Sequence, residues 1–334
     1  MSHLERSPSL GNPALGLVLT LVLGGCAFTA PQTDRLLTEW NSVTKAKAEI
    51  TTVPFFPDDK FYCGPASLAM VLNWTGDRVS RDALVPMVYT PGRKGTLQSE
   101  IITAARRRGR LAYPVSTLKE LLREVSSGHP VIVLQNLGLS WYPKWHYAVV
   151  VGYDLAEKNV ILHSGVEKET PMPLRLFELT WARGDHWAVV VLPPGTLPES
   201  AVERNYLNAV VGLERAGQWE AAASAYQAAL KRWPSSLAAL IGLGNSRYEM
   251  RDLAGAEKAF LEAIHIHPTA APAYNNLAQV LADTGQRREA LLHVERAIML
   301  GGPMKPFFLK TREKIQENGG TWQDEDLPVL EKHM

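Results

Sequence analysis

The feature that most restricts the possible folds is a repeat with a step of 34 residues in the second half of the chain. Residues of similar character return at this step in five sets, which are Ala222, Ala256 and Ala290; Tyr226, Phe260 and Val294; Ala229, Ala263 and Ala297; Pro234 and Pro268; and Leu243 and Leu277. Chance does not align this many positions. A unit that buries its apolar face only against its neighbours needs about three copies for stability, and residues 201–302 supply three.

A step of this length with small and aromatic residues at these offsets is typical of tetratricopeptide repeats, in which each unit is a helix–turn–helix. Gly244, Ala256 and Ala263 are small enough to let two helices approach, and Phe260 fills the space between them. Pro306 to Glu317 would form a polar capping helix. We therefore predict an all-α repeat domain that binds a peptide or protein partner.

Composition and charge exclude several functional classes. With 334 residues the chain is too long for one ordinary domain, and 46% apolar and 21% charged residues exclude a disordered chain or a multi-span membrane protein. The net charge of +1 gives no basic field for phosphates, so we predict no nucleic-acid partner. The basic cluster that ends at Arg110 closes a short helix, where cations interact favourably with the helix dipole.

The first residues are predicted to be a targeting segment. Ala14 to Leu23 is an apolar run too short to cross a bilayer but suited to a signal peptide. The following Gly24-Gly25-Cys26 resembles the lipobox of bacterial lipoproteins, in which cleavage precedes a cysteine that becomes lipidated. We expect a signal peptide over 1–25, a membrane anchor through a lipid on Cys26, and a polar tether over 26–50. The alternative is an ordinary secreted protein in which Cys26 is incidental.

The lipobox resemblance implies a location in the cell envelope on the periplasmic side. Ala27 after Cys26 resembles the sorting preference of outer-membrane lipoproteins. The chain has two cysteines, so lipidation of Cys26 leaves Cys63 without a partner in the chain for a disulfide. Because an unpaired thiol in an oxidising compartment is disadvantageous unless it has a function, this count indicates that Cys63 has a chemical role.

Residues 51–192 combine helices and strands in the order typical of an α+β fold. Helices are predicted over 65–74, 80–88, 97–108 and 117–125, and strands over 51–56, 130–135, 146–153, 160–163 and 187–192. Thr96 is the expected N-cap of the third helix. The run from Pro193 to Pro198 interrupts all periodicity, which places a linker over 193–200; a capping helix and tail over 303–334 follow the repeats.

Cys63 stands where a helix is predicted to begin, within Tyr62-Cys63-Gly64-Pro65-Ala66. Free backbone N–H groups and the positive end of the helix dipole favour a thiolate at this position. Pro65 is tolerated in the first turn, and Gly64 allows a close approach to the sulfur. We therefore expect an activated nucleophile, with a pKa of Cys63 below the value of about 8.5 for a free thiol.

His146 is the best candidate for the base, because it opens a strongly apolar strand. An imidazole at a strand end can present one ring nitrogen to a thiol in a cleft. Taken alone, His146 fits a packed strand residue better than a base, but the Cys63 helix upstream reverses this order and favours the catalytic interpretation. His163 and His186 adjoin other strands and remain second choices.

Two segments resemble a known family. Tyr62 to Asn73 resembles the nucleophile helix of the bacteriocin-processing, double-glycine type of papain-like cysteine peptidase, and His146 to Asp154 resembles the histidine strand of that family. Over residues 51–192 the resemblance implies a papain-like fold and a Cys63–His146 pair. It also implies peptide-bond hydrolysis with no cofactor, and we predict no metal site.

Two positions depart from the family pattern. The family has a glutamine before the cysteine that helps to form the oxyanion hole, whereas this chain has Pro57, Asp58, Asp59 and Lys60 there, and an ionised carboxylate cannot donate that hydrogen bond. The family orients its histidine with an aspartate on the next strand, and the matching residue here is Ser164. Ser164 then orients His146 or, alternatively, is only a turn residue before Gly165.

Together these patterns predict a lipid-anchored, extracytoplasmic cysteine peptidase whose repeats recruit a peptide or protein partner. Cys63 attacks the scissile carbonyl, His146 accepts the thiol proton, and the backbone N–H of Cys63 helps to hold the oxyanion. Two alternatives are a degenerate peptide-binding scaffold and a thiol-dependent transamidase. Because a repeat groove binds rather than catalyses, a chain that ends at Pro198 is expected to keep the reactivity of Cys63.

Overall fold

The structure is a computed structural model that describes residues 29–39, 45–58 and 61–317. The predicted signal peptide, Cys26 and residues 318–334 lie outside the described residues. In the part of the chain that is described, no helix combines the length and the apolar character needed to cross a bilayer.

The first half of the described chain is an α+β domain, which confirms the predicted fold class. Its helices are α1 (Pro31–Glu39), α2 (Cys63–Trp74), α3 (Arg81–Val88), α4 (Gln98–Arg107), α5 (Leu118–Ser126) and α6 (Leu174–Ala182). Its strands are β1 (Lys47–Glu49), β2 (Tyr89–Thr90), β3 (Gly95–Thr96), β4 (Leu111–Val115), β5 (Val131–Asn136), β6 (Trp145–Asp154), β7 (Asn159–Ser164), β8 (Glu167–Pro173) and β9 (Ala188–Leu192). Helices α2–α4 therefore precede most of the sheet in the sequence.

Seven of these strands form one antiparallel sheet, which positions the candidate base. The strand order is β4-β9-β5-β6-β7-β8, and β1 pairs with the end of β6. Strands β5 and β9 are buried along their whole length, as expected when both faces of a sheet are covered and the sequence is a continuous apolar run. Helix α2 packs against β6, so Cys63 and His146 belong to neighbouring elements.

Several local predictions are corrected. Residues 51–56 form a turn and an irregular segment rather than a strand, because Pro54 and Pro57 lack the N–H donors of a strand ladder. Thr96 is not the N-cap of α4: it pairs with Tyr89 in a two-stranded sheet, and Leu97 precedes the helix without a side-chain cap. Strands β4 and β8 were not predicted, because prolines interrupt their sequence patterns. Helix α6 was not predicted either.

The tether predicted over residues 26–50 is also corrected, because α1 and β1 within it belong to the folded domain. The backbone N–H groups of Gln32 and Thr33 donate to the carboxylate of Glu178 at 2.9 and 2.6 Å. Leu36 of α1 is buried in the core. A short polar helix gives little sequence pattern, and here a carboxylate 145 residues away satisfies its N-terminal donors.

In the described part of the chain, the predicted repeats form six helices in three consecutive pairs, which confirms the all-α repeat domain. They are α7 (Glu203–Glu214), α8 (Trp219–Arg232), α9 (Leu237–Glu249), α10 (Leu253–Ile266), α11 (Ala271–Asp283) and α12 (Arg287–Leu300), followed by α13 (Lys305–Glu317). A Cβ atom on Gly244 would lie 2.4 Å from the ring of Phe260. The small residue is thus needed where α9 meets α10.

The repeats pack directly on the α+β domain. Helix α7 contacts β4, where the Tyr113 hydroxyl donates to the Ser200 carbonyl at 3.4 Å and accepts from the Val202 N–H at 3.2 Å. Glu124 of α5 is fully buried and accepts hydrogen bonds from the N–H groups of Glu199 and Ser200 at 3.2 and 2.6 Å. The end of the predicted linker is therefore fixed to the domain.

Candidate active site

Cys63 is the first residue of α2, a helix that is buried along most of its length. Residues 64–72 are all buried, so packing fixes the direction and the N-terminus of the helix. A Cβ atom on Gly64 would lie 2.4 Å from Oγ1 of Thr96, so a glycine is needed where α2 meets β3. Packing thus sets the position of the Cys63 sulfur, which is partly exposed.

Backbone N–H groups surround this sulfur. Burial raises the pKa of the thiol, whereas the N–H groups of Tyr147, Gly64 and Cys63 itself interact with the sulfur and act in the opposite direction. Two of them come from the first turn of α2, where N–H groups have no acceptor within the helix. The same donors are candidates to hold a negative oxygen that forms next to the sulfur.

His146 lies beside Cys63, near the start of β6. Its Nε2 is 2.8 Å from Oγ of Ser164, the last residue of β7. A ring nitrogen of His146, the Cys63 sulfur and a carboxylate oxygen of Asp58 all lie within 4.8 Å of one another. Because Nε2 faces Ser164, Nδ1 is the nitrogen left for the thiol. The structure thus brings Cys63, His146 and Ser164 together, whereas Cys26 is outside the described residues.

Burial dominates the ionisation of the Cys63–His146 pair. It raises the pKa of the Cys63 thiol against the effect of the N–H donors, and the charge of Asp58 raises this pKa further. Burial, followed by the charge of Lys144, lowers the pKa of His146 to about 4. The expectation of a lowered Cys63 pKa is therefore wrong, because desolvation outweighs the helix terminus. At neutral pH the pair rests as a thiol and a neutral imidazole.

Asp58 belongs to this site, although sequence analysis predicted no role for it beyond that of a missing amide donor. Its backbone N–H donates to the Gly165 carbonyl at 3.0 Å. The carbonyl of the preceding Pro57 accepts from Arg81 at 3.1 Å. These bonds hold the loop against the turn that follows Ser164, and they join residues that no sequence pattern links.

The two alternative candidates for the base, His163 and His186, make packing and backbone contacts instead. His163 is buried: its Nε2 is 3.3 Å from the Val53 carbonyl, and its Nδ1 accepts from the Glu169 N–H at 3.2 Å. His186 packs edge-on against Trp181, with ring centroids 4.9 Å apart. Among the described residues, His146 is the histidine that shares a cluster with Cys63.

An exposed aromatic hairpin stands next to His146 and was not predicted as functional. It joins β5 to β6, and it exposes 81% of Trp141 and 74% of Tyr142. The side-chain oxygen of Asn136 accepts from the N–H groups of Gly138 and Lys144, both at 2.9 Å, which fixes its shape. Exposed apolar surface of this kind is typical of binding sites. The hairpin therefore offers exposed apolar surface directly before the strand that carries His146.

The repeats contain a groove of about 330 Å³ that includes side chains of α9 and α11. Amides and carboxylates contribute much of its lining, among them Glu214, Asn245, Glu249, Asn275, Asn276 and Gln279. Asn276 donates to Asn245 at 2.9 Å, while Oδ1 of Asn275 is buried without a hydrogen-bond partner among the described residues. The groove thus presents both hydrogen-bond donors and acceptors.

Family models match both halves of the chain. Residues 50–186 match the Peptidase_C39 like family, and residues 207–273 match a tetratricopeptide repeat model. These matches confirm the peptidase resemblance and the repeats predicted from the sequence. No curated protein matches this chain.

Solved structures resemble each half separately. A protein described as a C39-like peptidase from Bacillus anthracis has 19% identity and a TM-score of 0.37, and the match covers 44% of this chain and 97% of that one. The first TPR of Spaghetti (RPAP3), bound to the HSP90 peptide SRMEEVD, has 16% identity and a TM-score of 0.33, with 35% and 91% covered. The type III secretion translocator chaperone SycD of Yersinia enterocolitica has 17% identity and a TM-score of 0.33, with 34% and 83% covered.

Proposed function

Because this chain contains a C39-like peptidase domain followed by tetratricopeptide repeats, we propose that it is a lipid-anchored, extracytoplasmic cysteine peptidase whose repeats recruit a peptide or protein partner. The observation that carries the proposal is the arrangement of Cys63, His146 and Ser164. The thiol and the imidazole belong to one cluster, and the Ser164 hydroxyl is 2.8 Å from the imidazole. A nucleophile, a base within reach and a group that orients the base are what covalent catalysis requires.

In the proposed reaction, the Cys63 sulfur attacks the scissile carbonyl carbon while its proton passes to His146. Since the resting pair is neutral, the proton moves as the carbon–sulfur bond forms. Backbone N–H groups next to the sulfur hold the oxyanion. The intermediate collapses to a thioester as His146 gives the proton to the leaving amine. Water then hydrolyses the thioester, which releases the acid and restores the thiol.

Two side chains are expected to make this reaction slow. Ser164 holds the imidazole through a neutral hydroxyl, which stabilises an imidazolium less than a carboxylate does. Asp58 places a carboxylate near the sulfur, where an ionised group repels a developing oxyanion. Both effects lower the rate of turnover, but neither changes the nucleophile Cys63 or the base His146.

Partner binding is assigned to the groove of the repeats. Asn245, Asn275 and Asn276 line it, and amide side chains carry both donors and acceptors for the groups of a peptide backbone. The aromatic hairpin beside His146 is assigned to substrate residues close to the scissile bond. The repeats would thus bind a partner while the hairpin contacts the segment that is cleaved.

The proposed location depends on the sequence around Cys26. If Cys26 is lipidated, the mature chain begins there and partitions into detergent. Replacement of Cys26 with Ser should leave a soluble or unprocessed chain in the same partitioning assay. Unchanged membrane association of Cys26→Ser would remove the lipid anchor from the proposal.

An electrophilic peptide probe tests the catalytic part. We expect the wild-type chain to be labelled once and Cys63→Ala to remain unlabelled. Cys26→Ser is the matched control, because it removes the other cysteine of the chain and should be labelled like the wild type. The product masses formed from a peptide in the presence of an added amine then distinguish hydrolysis from transamidation.

The second candidate function is a degenerate peptide-binding scaffold. It is favoured by the neutral resting state of the Cys63–His146 pair and by Asp58 in place of an amide donor. A folded wild-type chain that binds peptides but is not labelled by the probe at any pH would establish this candidate instead of the peptidase.

A further inference from the structure

Asp58, Cys63 and His146 bring three different donor atoms close together. Their carboxylate oxygen, sulfur and ring nitrogen all lie within 4.8 Å of one another. The ligands of a tetrahedral zinc ion, at bond lengths of about 2.0–2.3 Å, are separated by about 3.3–3.6 Å, which side-chain movements of about 1 Å would reach. We propose that these residues form a binding site for a divalent cation of the zinc type, a property distinct from peptide hydrolysis although it uses the same sulfur.

The donor set selects this class of cation. Thiolate sulfur and imidazole nitrogen are preferred ligands of zinc, and a carboxylate oxygen completes a common set of three. Magnesium and calcium require more ligands, almost all of them oxygens, so they fit this cluster poorly. Three protein ligands leave the fourth tetrahedral position for water.

A second observation concerns the outer partners of these ligands. A histidine that binds a metal normally gives its other ring nitrogen to a hydrogen bond, and Nε2 of His146 lies 2.8 Å from Oγ of Ser164. Asp58 is held through its backbone N–H by Gly165, the residue after Ser164. The same turn therefore supports two of the three ligands, while the packing of α2 fixes the third.

Cation binding and catalysis compete for one sulfur. When the cation binds, the Cys63 thiol releases its proton to solvent, the sulfur donates an electron pair to the cation, and no atom is oxidised or reduced. A coordinated sulfur cannot attack a carbonyl carbon or an alkylating reagent. The site would therefore keep the thiol unreactive when zinc is available and would return it when the cation leaves.

Cobalt(II) added to the purified full chain tests the proposal, because Co²⁺ bound to a thiolate gives a charge-transfer absorption band. We expect this band at one equivalent of Co²⁺ and its loss when Zn²⁺ displaces the cobalt. Cys63→Ser should abolish the band, whereas Cys26→Ser should keep it. Asp58→Asn should weaken binding by about tenfold or more, because even the loss of a residue that only supports a ligand costs about that much. Asp185→Asn, at an exposed position of the same domain, should have no effect.

A second measurement needs no variant. Zn²⁺ should protect Cys63 of the wild-type chain from iodoacetamide, and a chelator should restore alkylation. A missing band at stoichiometric Co²⁺, no protection by Zn²⁺, or an affinity that Asp58→Asn leaves unchanged would overturn the proposal. None of these measurements requires turnover, so a chain that binds zinc but stays inactive after a chelator has removed the cation would contradict the peptidase and support the cation site.

Discussion

Among single residues, Cys63 experiences two opposite effects on its ionisation. Burial disfavours the thiolate, whereas the N–H groups of Tyr147, Gly64 and Cys63 favour it, and the net result is a raised pKa. His146 is shifted the other way, to a pKa of about 4. Both shifts favour the uncharged forms, as burial does for acids and bases alike. The charged pair therefore forms only during reaction.

The pH dependence of alkylation follows from these directions. The rate with iodoacetamide tracks the thiolate fraction, so at pH 7 we expect Cys63 to react more slowly than free cysteine. Because its pKa is raised from 9.0, the rate should still increase above that pH. His146→Ala should change the profile little above about pH 6, since His146 is already neutral there. A rate that reached its plateau below about pH 7 would contradict this prediction.

Substitutions at Ser164 test how the histidine is oriented. Ser164→Ala removes one neutral hydrogen bond to His146, worth about 1 kcal/mol, so we expect peptide turnover to fall by a factor of about five. This loss should be much smaller than that of His146→Ala or Cys63→Ala. Ser164→Asp should raise turnover, because a carboxylate stabilises the imidazolium that forms in the reaction. Equal activity of the wild type, Ser164→Ala and Ser164→Asp would mean that residue 164 is only part of a turn.

Asp58→Asn removes the negative charge at this site while it keeps the shape of the side chain nearly unchanged. The amide can donate a hydrogen bond to an oxyanion and removes a charge that raises the pKa of Cys63. We expect probe labelling and peptide turnover to rise by roughly tenfold or more, the scale of one oxyanion donor. Asp185→Asn is the matched control on the same domain. A fall in labelling of folded Asp58→Asn would show that the carboxylate assists the reaction.

At the scale of elements, small residues decide how closely helices pack in the repeats. Gly242 faces the ring of Tyr226, and Gly244 faces that of Phe260, each with no room for a Cβ atom. Phe260 is buried and belongs to the core that α10, α11 and α12 share. An added methyl group therefore displaces an aromatic ring that several helices contact.

Gly244→Ala should accordingly destabilise the repeats. The new Cβ atom would lie 2.4 Å from Phe260, and overpacking of this kind costs about 1–3 kcal/mol. Urea unfolding followed by circular dichroism measures the change. Gly92→Ala is the control, because a Cβ atom there meets nothing within 4 Å, and it should be neutral or slightly stabilising. Equal stability of the two variants would show that α9 and α10 can move apart.

At the scale of the whole molecule, the two domains share a continuous apolar core that runs from α2 into the first repeats. Glu124 joins them through polar contacts as well. Burial tends to raise its pKa, but hydrogen bonds with His129 and Ser200 outweigh burial, and the net shift is downward. The ionised Glu124 carboxylate therefore stabilises the folded chain at every pH above the pKa that Glu124 has in the unfolded chain. This stabilisation is lost as the pH falls through the lower pKa that Glu124 has in the folded chain.

This junction changes the expected result of truncation. A chain that ends at Pro198 loses the N–H groups of Glu199 and Ser200, which leaves the buried Glu124 without two donors, at about 1–3 kcal/mol each. It also exposes the surface that α7 covers. We therefore expect this chain to be unstable, contrary to the expectation from sequence. A chain that ends at Pro234 keeps α7 and α8 and should retain labelling of Cys63. Thermal unfolding of both chains checks the prediction, and equal stability would contradict it.

Sequence patterns were sufficient to predict the repeats, the α+β order of the first domain, and the placement of Cys63 at a helix start and His146 at a strand start. These features depend on periodicity and on neighbours in the chain, which a sequence displays directly. The helix of α1 and the strand of β4 were missed because their patterns are short or interrupted by proline.

The chemical behaviour of the candidate site, in contrast, depends on how the chain folds. The tertiary structure brought Asp58 to the sulfur, directed Nε2 of His146 to Ser164, and gave both pKa shifts the sign set by burial. It also fixed the predicted linker to Glu124. The physical reason is common to all of these: desolvation and hydrogen bonding depend on which distant segments surround a group, and that is set by packing rather than by local pattern.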